Sequence, residues 1–474
     1  MSHSGCYSTV DNTEPLPELR MEEDPLTTSS GGHNQARRLV TIEDLPTELL
    51  LLIFKPIFLN PVDANPWKHR DRAFPREYDM RRSAYAFPYT LASVCSKWNN
   101  ILRLANFFRT LVLIFIDDPL VIQHAKADLN IADNLTIVLT VTRRTADSFI
   151  DDPIAEHLIM KEVMEIITPH IPRCRKLRFD LAHTSSLPRL ATDFQHPAPL
   201  LIALSMEAAV ASGLGGLTSH TKSKLDYQSF PRLYELEIDG HNFVDVFRNE
   251  DTQNWLWEIR ECGERFPVSL RIANYDPEAG STPQGRFFVF EALSLFGAFN
   301  HLELDNLKFS HIARTAEESE IVDPESFAEI QGEYIRLSRL SAELTAVLMP
   351  QISTHYAHII DCPLSHSTRL PSHDGLELRD INYTDTALDL CFLLPPWYGE
   401  RLWVTNCAID DTVLAILKKR SGPNEWNDFN ASYLKQIRLR DCARVSERAV
   451  ASLCWAREGK GGEDFIVVER PTDK

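Results

Sequence analysis

Short apolar runs recur along the chain from Thr110 onward, and polar loops and helical stretches separate them. Each run is about three to seven residues long, and several alternate apolar with polar side chains, as half-buried strands do. The pattern therefore predicts strands at Leu111–Ile116, Leu135–Val141, Lys176–Phe179, Leu233–Ile238, Ser269–Ile272, Leu302–Leu304, Leu376–Leu378, Leu402–Val404 and Gln436–Leu439.

The last third of the chain contains an internal repeat. Residues 376–381, 402–407 and 437–442 share the order apolar, x, apolar, x, Asp or Asn, and then Cys or Ile. A polar cap and a short apolar helix follow each unit. The first two units start 26 residues apart (402 − 376), and the third starts 35 later (437 − 402) because 418–433 is a polar insert. A strand and a helix within about 20 to 29 residues is the spacing of a leucine-rich repeat.

The phase of this repeat predicts which side chains are buried. Leu378, Val404 and Leu439 each lie three residues before the Cys or Ile, so we expect them to face one interior in a curved parallel sheet. We expect the Asp or Asn to bond the backbone of the turn, and the Cys or Ile to fill the interior. The runs near Phe230 and Phe299 are degenerate and retain only the strand pattern.

Two helices are predicted before the strands. The first follows Asp44, a plausible N-cap, with Pro46 in its first turn and Pro56 as its end or a kink. Residues 49–54 are apolar on every side, so this helix needs cover all round, from a partner or from the rest of the chain. The second is amphipathic, and its apolar face holds Leu91, Val94, Cys95, Trp98, Ile101 and Leu102.

These patterns divide the chain into three parts. Residues 1–38 are rich in Ser, Thr, Pro and Glu, which predicts a disordered tail. Residues 41–108 form a small helical module that is interrupted by a polar insert at 60–85. Residues 110–470 form an α/β domain built from the repeats.

Composition and charge limit the possible functions. The 474 residues carry a net charge of −18, which argues against nucleic-acid binding over the whole surface. No stretch approaches the roughly 18 uninterrupted apolar residues of a membrane span; the closest, 200–217, contains Glu207 and several glycines. The start of the chain has no secretory pattern, and the nine cysteines form no C-x-x-C pair. We therefore expect reduced thiols, an intracellular location in the cytoplasm or nucleus, and no membrane partner.

Known catalytic patterns are absent from the sequence. The glycine-rich stretch 213–217 lacks the Gly-Lys-Ser/Thr of a phosphate-binding loop, and neither His-Glu-x-x-His nor Gly-x-Ser-x-Gly occurs. Cys95, Cys407 and Cys442 lie in apolar patterns and are predicted to be packing thiols. We therefore predict no catalytic, cofactor-binding or metal-binding residue, and no enzyme activity.

The helical module resembles the F-box, in particular the F-box families of mushroom-forming fungi. The likeness lies in Asp44-Leu-Pro-x-Glu-Leu-Leu-x-x-Ile-Phe54 and in Leu91-Ala-Ser-Val-Cys-Ser-Lys-Trp98, and the insert 60–85 departs from the compact motif. The resemblance implies that the module binds a Skp-type adaptor and, through it, a cullin. The implied adaptor-binding residues are Leu45, Pro46, Glu48, Leu49, Ile53, Leu91, Val94, Cys95 and Trp98. The repeats resemble cysteine-containing leucine-rich repeats, and 434–453 fits best.

Together these resemblances imply a substrate-recognition subunit of a Skp–cullin–F-box ubiquitin ligase. The repeat domain, an irregular leucine-rich-repeat solenoid, would hold an unknown target protein, and the outward strand residues Glu377, Trp403 and Arg438 are its candidate target-binding residues. Two alternatives stay open: a leucine-rich-repeat scaffold unconnected with a ubiquitin ligase, and an enzyme with an unrecognised site. The strands are also compatible with an unrelated α/β domain.

Overall fold

The computed structural model describes residues 42–63, 91, 93–145, 148–149, 151–194, 196–210, 229–247, 269–275, 299–307, 330–365, 369–371, 374–418, 433–457 and 466–469. The predicted tail 1–38 and most of the predicted insert, residues 64–85, lie outside this range. The chain divides into two compact units, Met1–Phe54 and Lys55–Lys474.

The first predicted helix is present as α1, Thr47–Asp63. A 3₁₀ turn at Ile42–Asp44 precedes it, and the Leu50 amide donates to the Pro46 carbonyl at 3.2 Å. The sequence predicted that Pro56 would end or kink the helix; it does not end it, because α1 continues to Asp63. A proline removes one backbone hydrogen bond, but the bonds on either side of it still stabilise the helix.

The second unit is α/β and contains an open sheet of thirteen strands, all parallel, in which every strand lies beside its neighbours in the chain. All nine predicted strands are confirmed within it, and β4, β8, β9 and β13 are additional. The strands are β1 Leu111–Phe115, β2 Ile137–Thr142, β3 Cys174–His183, β4 Ala203–Val210, β5 Glu235–Asp239, β6 Ser269–Tyr275, β7 His301–Leu307, β8 Ile330–Ser338, β9 Ile352–Ile360, β10 Gly375–Arg379, β11 Arg401–Thr405, β12 Gln436–Arg440 and β13 Ile466–Glu469.

Helices connect many of these strands. Parallel neighbours require crossover connections, and the fixed right-handedness of such connections places successive helices on one face of a sheet whose strands follow chain order. The described α-helices of this unit are α2 Ser96–Leu104, α3 Val121–Ile131, α4 Pro153–Ile167, α5 Leu190–Asp193, α6 Gly240–Phe247, α7 Ala342–Leu348, α8 Thr386–Leu393, α9 Asp411–Lys418 and α10 Glu447–Arg457. Short 3₁₀ turns lie at Asn106–Arg109, Thr168–Arg173, Thr184–Ser186 and Met349–Gln351.

Two columns of apolar side chains cross the sheet in register and form its core. Every member of both columns from β1 to β12 is buried, and they join the buried faces of the helices in one cluster. The first column is Val112, Leu139, Leu177, Leu204, Leu236, Leu270, Leu302, Ile335, Ala357, Leu376, Leu402 and Ile437. The second column lies two residues further along each strand.

The predicted phase of the C-terminal repeat is confirmed. Leu378 pairs with Val404, which pairs with Leu439, and their exposed fractions are 0%, 3% and 2%. The predicted helix caps also form in two of the three C-terminal repeats. The Ser446 hydroxyl accepts from the Ala449 amide at 3.1 Å, and an Asp410 carboxylate oxygen accepts from the Thr412 amide at 2.9 Å.

One backbone turn recurs at the carboxyl end of every strand from β6 to β12. In each strand a single residue has φ between 48° and 60°, the left-handed region: Asn274, Asn306, Arg339, Asp361, Asp380, Asn406 and Asp441. The residue after it is apolar and packs towards the core. The repeat therefore continues further back than predicted, and the run near Phe299 retains this turn as well as its strand.

The predicted role of the Asn or Asp in this turn needs correction. In the first two predicted repeats these side chains bond each other, since Asn406 Nδ2 donates to Asp380 Oδ1 at 2.7 Å. The backbone amides extend the ladder instead: Asp380 donates to the Thr405 carbonyl at 3.0 Å, and Asn406 to the Arg440 carbonyl at 2.9 Å. Asn and Asp suit the position because they tolerate the left-handed conformation better than other residues with a Cβ.

The described helices include none that is long and apolar enough to cross a membrane. The cysteines in the same ranges are free thiols. Burial raises the pKa of the Cys362 thiol to about 11 and that of Cys407 to about 12, so both are protonated and unreactive near neutral pH. Cys407 Sγ donates to the Leu378 carbonyl at 3.4 Å, which fits its predicted role as a packing residue.

Substituting Val404 tests the importance of the buried columns. We expect Val404→Asp to lower the free energy of unfolding by several kcal/mol, because it buries a carboxylate between two apolar strands. Thr405→Asp, one residue further on the outward face, should cost about 0.5 kcal/mol or less. Thermal and urea unfolding of the full chain measure both. Equal melting temperatures would contradict the assignment of Val404 to the core.

Substituting Asn406 tests the recurring turn. We expect Asn406→Val to destabilise the protein by about 1–2 kcal/mol, because a β-branched residue is strained at a φ of 50°. Asn406→Gly should cost less, since glycine adopts this conformation without strain. Thr405→Val serves as the control, because residue 405 is in a strand. If Asn406→Val were no worse than Thr405→Val in urea unfolding, the turn would not be constrained as described.

Candidate binding surfaces

Helix α1 presents an apolar strip to solvent. Leu49, Leu52 and Ile53 lie on one helix face by their i, i+3, i+4 spacing, and their exposed fractions are 45%, 65% and 40%. Leu50 and Phe54 are buried. The sequence predicted that this helix needs cover all round, and the described residues leave Leu49, Leu52 and Ile53 exposed. An exposed strip of this kind is typical of an interaction surface.

The structure places the other predicted adaptor-binding residues at several levels of burial. In the first unit, Pro46 and Glu48 are exposed and Leu45 is half-buried. In the second unit, Val94 is exposed, Leu91 and Cys95 are half-buried, and Trp98 is buried.

The predicted second helix is shorter than expected. Helix α2 starts at Ser96, and Cys95 before it has an extended backbone with φ −159° and ψ 165°. Leu91 and Val94 therefore precede the helix instead of sharing its apolar face. Trp98, Ile101 and Leu102 do share a buried face, as predicted. The spacing of Trp98, Ile101 and Leu102 predicted a helix, but the sequence pattern did not indicate the residue at which the helix begins.

The sheet has a second face, opposite the buried columns. Its side chains also form columns, and the middle one contains the three predicted target-binding residues. Glu377 pairs with Trp403, and Trp403 pairs with Arg438, so the predicted residues are neighbours on adjacent strands. From β3 to β12 this column reads Arg178, Ser205, Glu237, Arg271, Glu303, Arg336, His358, Glu377, Trp403 and Arg438.

A network of ion pairs occupies this face between β3 and β8. Arg271 lies at its centre, where it contacts Glu207 and donates to Glu303 at 3.1 Å and to Asp305 at 3.2 Å. Arg339 donates to Asp305 at 2.9 Å. The Arg271 and Glu303 side chains are only 12% and 3% exposed, so their charges are compensated within the protein. Such a network fixes side-chain positions, because removing one member would leave another charge buried and unpaired.

A second group of charges surrounds Glu377. Its carboxylate oxygens lie 2.9 Å from His358 Nδ1 and 2.6 Å from an Arg379 guanidinium nitrogen. Burial alone would raise the pKa of this carboxyl group. The hydrogen bond and charge of His358, together with Arg379, outweigh burial and hold the pKa below its ordinary value. Glu377 is therefore a carboxylate held by its neighbours as well as a candidate contact residue.

Aromatic rings flank β10 on the same face. The Tyr356 and Trp403 rings are nearly parallel, with centroids 6.4 Å apart and an interplanar angle of 20°. They approach each other across Gly375, where an added Cβ would lie 2.8 Å from the Trp403 ring and 2.9 Å from the Tyr356 ring. The Arg401 guanidinium also donates to the Tyr356 hydroxyl at 3.2 Å. The missing side chain of Gly375 is what lets the two rings meet.

Charge is distributed unequally along this face. In its three columns of outward positions, β3–β7 carry three cationic residues and seven carboxylates, a net charge of −4 (3 − 7). In the same columns β8–β12 carry five arginines and one carboxylate, a net charge of +4 (5 − 1). A partner with its own charge asymmetry would therefore bind in a preferred orientation.

Comparison of the chain with protein-family models finds no matching family, and comparison with curated proteins finds no match. The described residues include no group of three or more His, Cys, Asp or Glu side chains arranged to hold a metal ion.

Sequence reasoning missed Arg271, Tyr356 and Arg401 as members of the outward face. Strand β6 was predicted, so the alternation of Leu270, Arg271 and Ile272 was a usable signal for an outward arginine. Tyr356 lies in a strand that was not predicted. No local pattern could reveal that Tyr356 and Trp403 meet, because Gly375 lies between them in space and their separation along the chain is long.

Gly375→Ala tests the ring arrangement. We expect the new methyl group to push the Trp403 and Tyr356 rings apart, which should lower the melting temperature and change the near-ultraviolet circular dichroism. In a Trp403→Ala background the same substitution should cost less, because one of the two close contacts is gone. An equal cost in both backgrounds would contradict the close approach of the Trp403 ring to Gly375.

Glu377→Gln tests the environment of the carboxylate. A folded-state pKa below the ordinary value of 4.5 adds stability above that pH, and this stability is lost as the pH falls through the folded-state pKa. The wild-type protein should therefore melt above the variant at neutral pH, and the difference should shrink as the pH falls below about 4.5. Glu162→Gln on the exposed face of α4 is the control. A difference that grows towards acid pH would contradict the assigned sign.

Proposed function

We propose that this chain is the substrate-recognition subunit of a Skp–cullin–F-box ubiquitin ligase. The observation that carries the proposal is the apolar strip of Leu49, Leu52 and Ile53 on α1, within the segment that resembles the first F-box helix. Exposing three large apolar side chains to water is unfavourable. A partner that covers them would gain about 25 cal/mol for each Å² of apolar area that it buries. A protein adaptor is the cover that the resemblance implies.

The sheet supports a recognition role for the rest of the chain. We propose that it is an irregular leucine-rich-repeat solenoid, because strands in chain order, helices in the crossovers and a repeated left-handed turn are features of that architecture. Residues in register from β8 to β12 are separated along the chain by 19 (375 − 356) to 35 (436 − 401) residues. The longer separations fit repeats with inserts.

The proposed mechanism is positional. The adaptor binds at the apolar strip of α1, and the target binds on the outward face of the sheet. The ligase then holds a lysine of the target near the ubiquitin-loaded E2, so that a reaction between separate molecules occurs within one assembly. No residue of this chain takes part in the covalent chemistry.

A double substitution on α1 tests the adaptor interaction. We expect Leu49→Asp with Ile53→Asp to abolish binding of a purified Skp-type adaptor to the full chain, because two carboxylates would replace the apolar contact. The readout is co-purification at physiological salt, with circular dichroism to check that the variant is folded. Retained binding would contradict the proposed surface.

The chain offers a matched control on another helix. Ile154 and Leu158 on α4 have the same i, i+4 spacing and are 67% and 57% exposed. Ile154→Asp with Leu158→Asp should leave adaptor binding unchanged. A folded wild-type chain that does not bind adaptor or cullin would instead favour the alternative, a leucine-rich-repeat scaffold outside the ubiquitin system.

A further inference from the structure

Exposed charge on the outward face is concentrated at one end of the sheet. Arg271 and the three carboxylates that it contacts, Glu207, Glu303 and Asp305, are largely buried. Arg401 and Arg438, on β11 and β12, are exposed, and so is Arg440, whose Nε lies 3.6 Å from the neighbouring Asp441 carboxylate. Solvent and any partner therefore meet the arginines of β11 and β12 more readily than the buried centre of the network, Arg271 and Glu303.

The same end of the sheet offers an apolar contact area. The half-buried Tyr356 and Trp403 rings lie on either side of Gly375, and Arg401 holds the Tyr356 hydroxyl. Rings fixed in this way lose little conformational freedom when a partner packs on them, which is why aromatic and arginine residues dominate binding energy in protein interfaces.

We propose that this arginine–aromatic face, made of Tyr356, Arg401, Trp403, Arg438 and Arg440, binds an extended acidic segment of a partner protein. Carboxylate or phosphate groups of the segment pair with the arginines, and one apolar side chain of the segment packs on the Trp403 and Tyr356 rings. The inference deepens the proposed function, since it rests on the sheet being the target-binding part of the chain and defines the chemistry of the target.

The spacing of the arginines favours a peptide over a small anion. Arg440 lies four residues further along its strand than the position paired with Arg401, which corresponds to about 13 Å at about 3.3 Å per residue. One phosphate or carboxylate cannot reach both ends. An extended segment of about four or five residues spans that distance with acidic groups at several points.

The distribution of charge favours a short acidic segment over a nucleic acid. A polyanion running along the face would leave the arginines and pass over the carboxylate-rich strands β3–β7, where like charges repel it. The whole chain is also strongly acidic, with a net charge of −18. A protein segment can confine its negative charge to the few residues that meet the arginines.

A peptide selection provides the first test. Displayed random twelve-residue peptides are selected for binding to the full wild-type chain and, in parallel, to Arg401→Glu with Arg438→Glu. We expect Asp and Glu to be enriched with the wild-type chain and the enrichment to be lost with the variant. Arg444→Glu with Arg448→Glu is the control, because it makes the same charge change at exposed positions outside the strands, and it should keep the wild-type enrichment.

Affinity measurements on one enriched peptide provide the second test. Its fluorescence anisotropy should show binding about tenfold or more weaker for Arg401→Glu with Arg438→Glu, several-fold weaker for Trp403→Ala, and within about twofold of wild type for the control. Peptides with phosphoserine in place of the acidic residues distinguish phosphate from carboxylate recognition. Melting temperatures confirm that each variant is folded.

The outcomes separate this inference from the proposed function. The acidic-segment inference is overturned if no peptide is enriched or if the enriched peptides are not acidic. It is also overturned if a labelled oligouridine binds the wild-type chain more tightly than the acidic peptide does and fails to bind Arg401→Glu with Arg438→Glu. Leu49→Asp with Ile53→Asp should still bind the acidic peptide while losing the adaptor. If the wild-type chain binds the adaptor but no acidic peptide, only the acidic-segment inference is removed. If it binds an acidic peptide but not the adaptor, only the ligase assignment is removed.

Discussion

In-register pairing of parallel strands is the constraint on which the rest of this structure depends. Each strand from β2 to β12 forms backbone hydrogen bonds with both of its neighbours, and the pairing aligns two apolar columns that bury one face of the sheet. A slip of one residue in any strand would move its apolar side chains to the opposite face. Burial of the columns therefore fixes the register, and the register in turn fixes which outward side chains become neighbours.

The recurring left-handed turn ends each strand of the second half at the same register position. The chain has to leave the sheet and bury the next apolar residue, and a single residue with φ near 50° changes its direction in one step. The amide of that residue bonds to the carbonyl of the following strand, so the turn costs no ladder hydrogen bond. This arrangement explains why Asn and Asp predominate there and why a cysteine or an apolar side chain follows.

The sequence allowed the strands with clear alternation to be predicted, but not all of the sheet. Strand β4 was missed because Ala203–Val210 consists largely of residues such as alanine, leucine, methionine and glutamate, which favour helices, and pairing with two neighbours overrides that preference. Strand β13 has only four residues. The ion pairs were beyond reach for another reason: Arg271 and Glu207 are 64 residues apart, and only the register of β4 to β6 brings them together.

Under the proposed function, the two faces of the sheet divide the requirements of stability and recognition. The buried columns tolerate only apolar residues, so they carry little information that could distinguish one partner from another. The outward positions have no such restriction, yet the pairing holds them at fixed spacings of about 4.8 Å between strands. Between β3 and β8 this spacing brings charged side chains around Arg271 close enough to form ion pairs with one another. Side chains that are paired in this way contribute less to the binding of a partner. The exposed arginines of β11 and β12 lie at the same end of the sheet as the rings across Gly375. We propose that the face discriminates among ligands by charge and shape at this end.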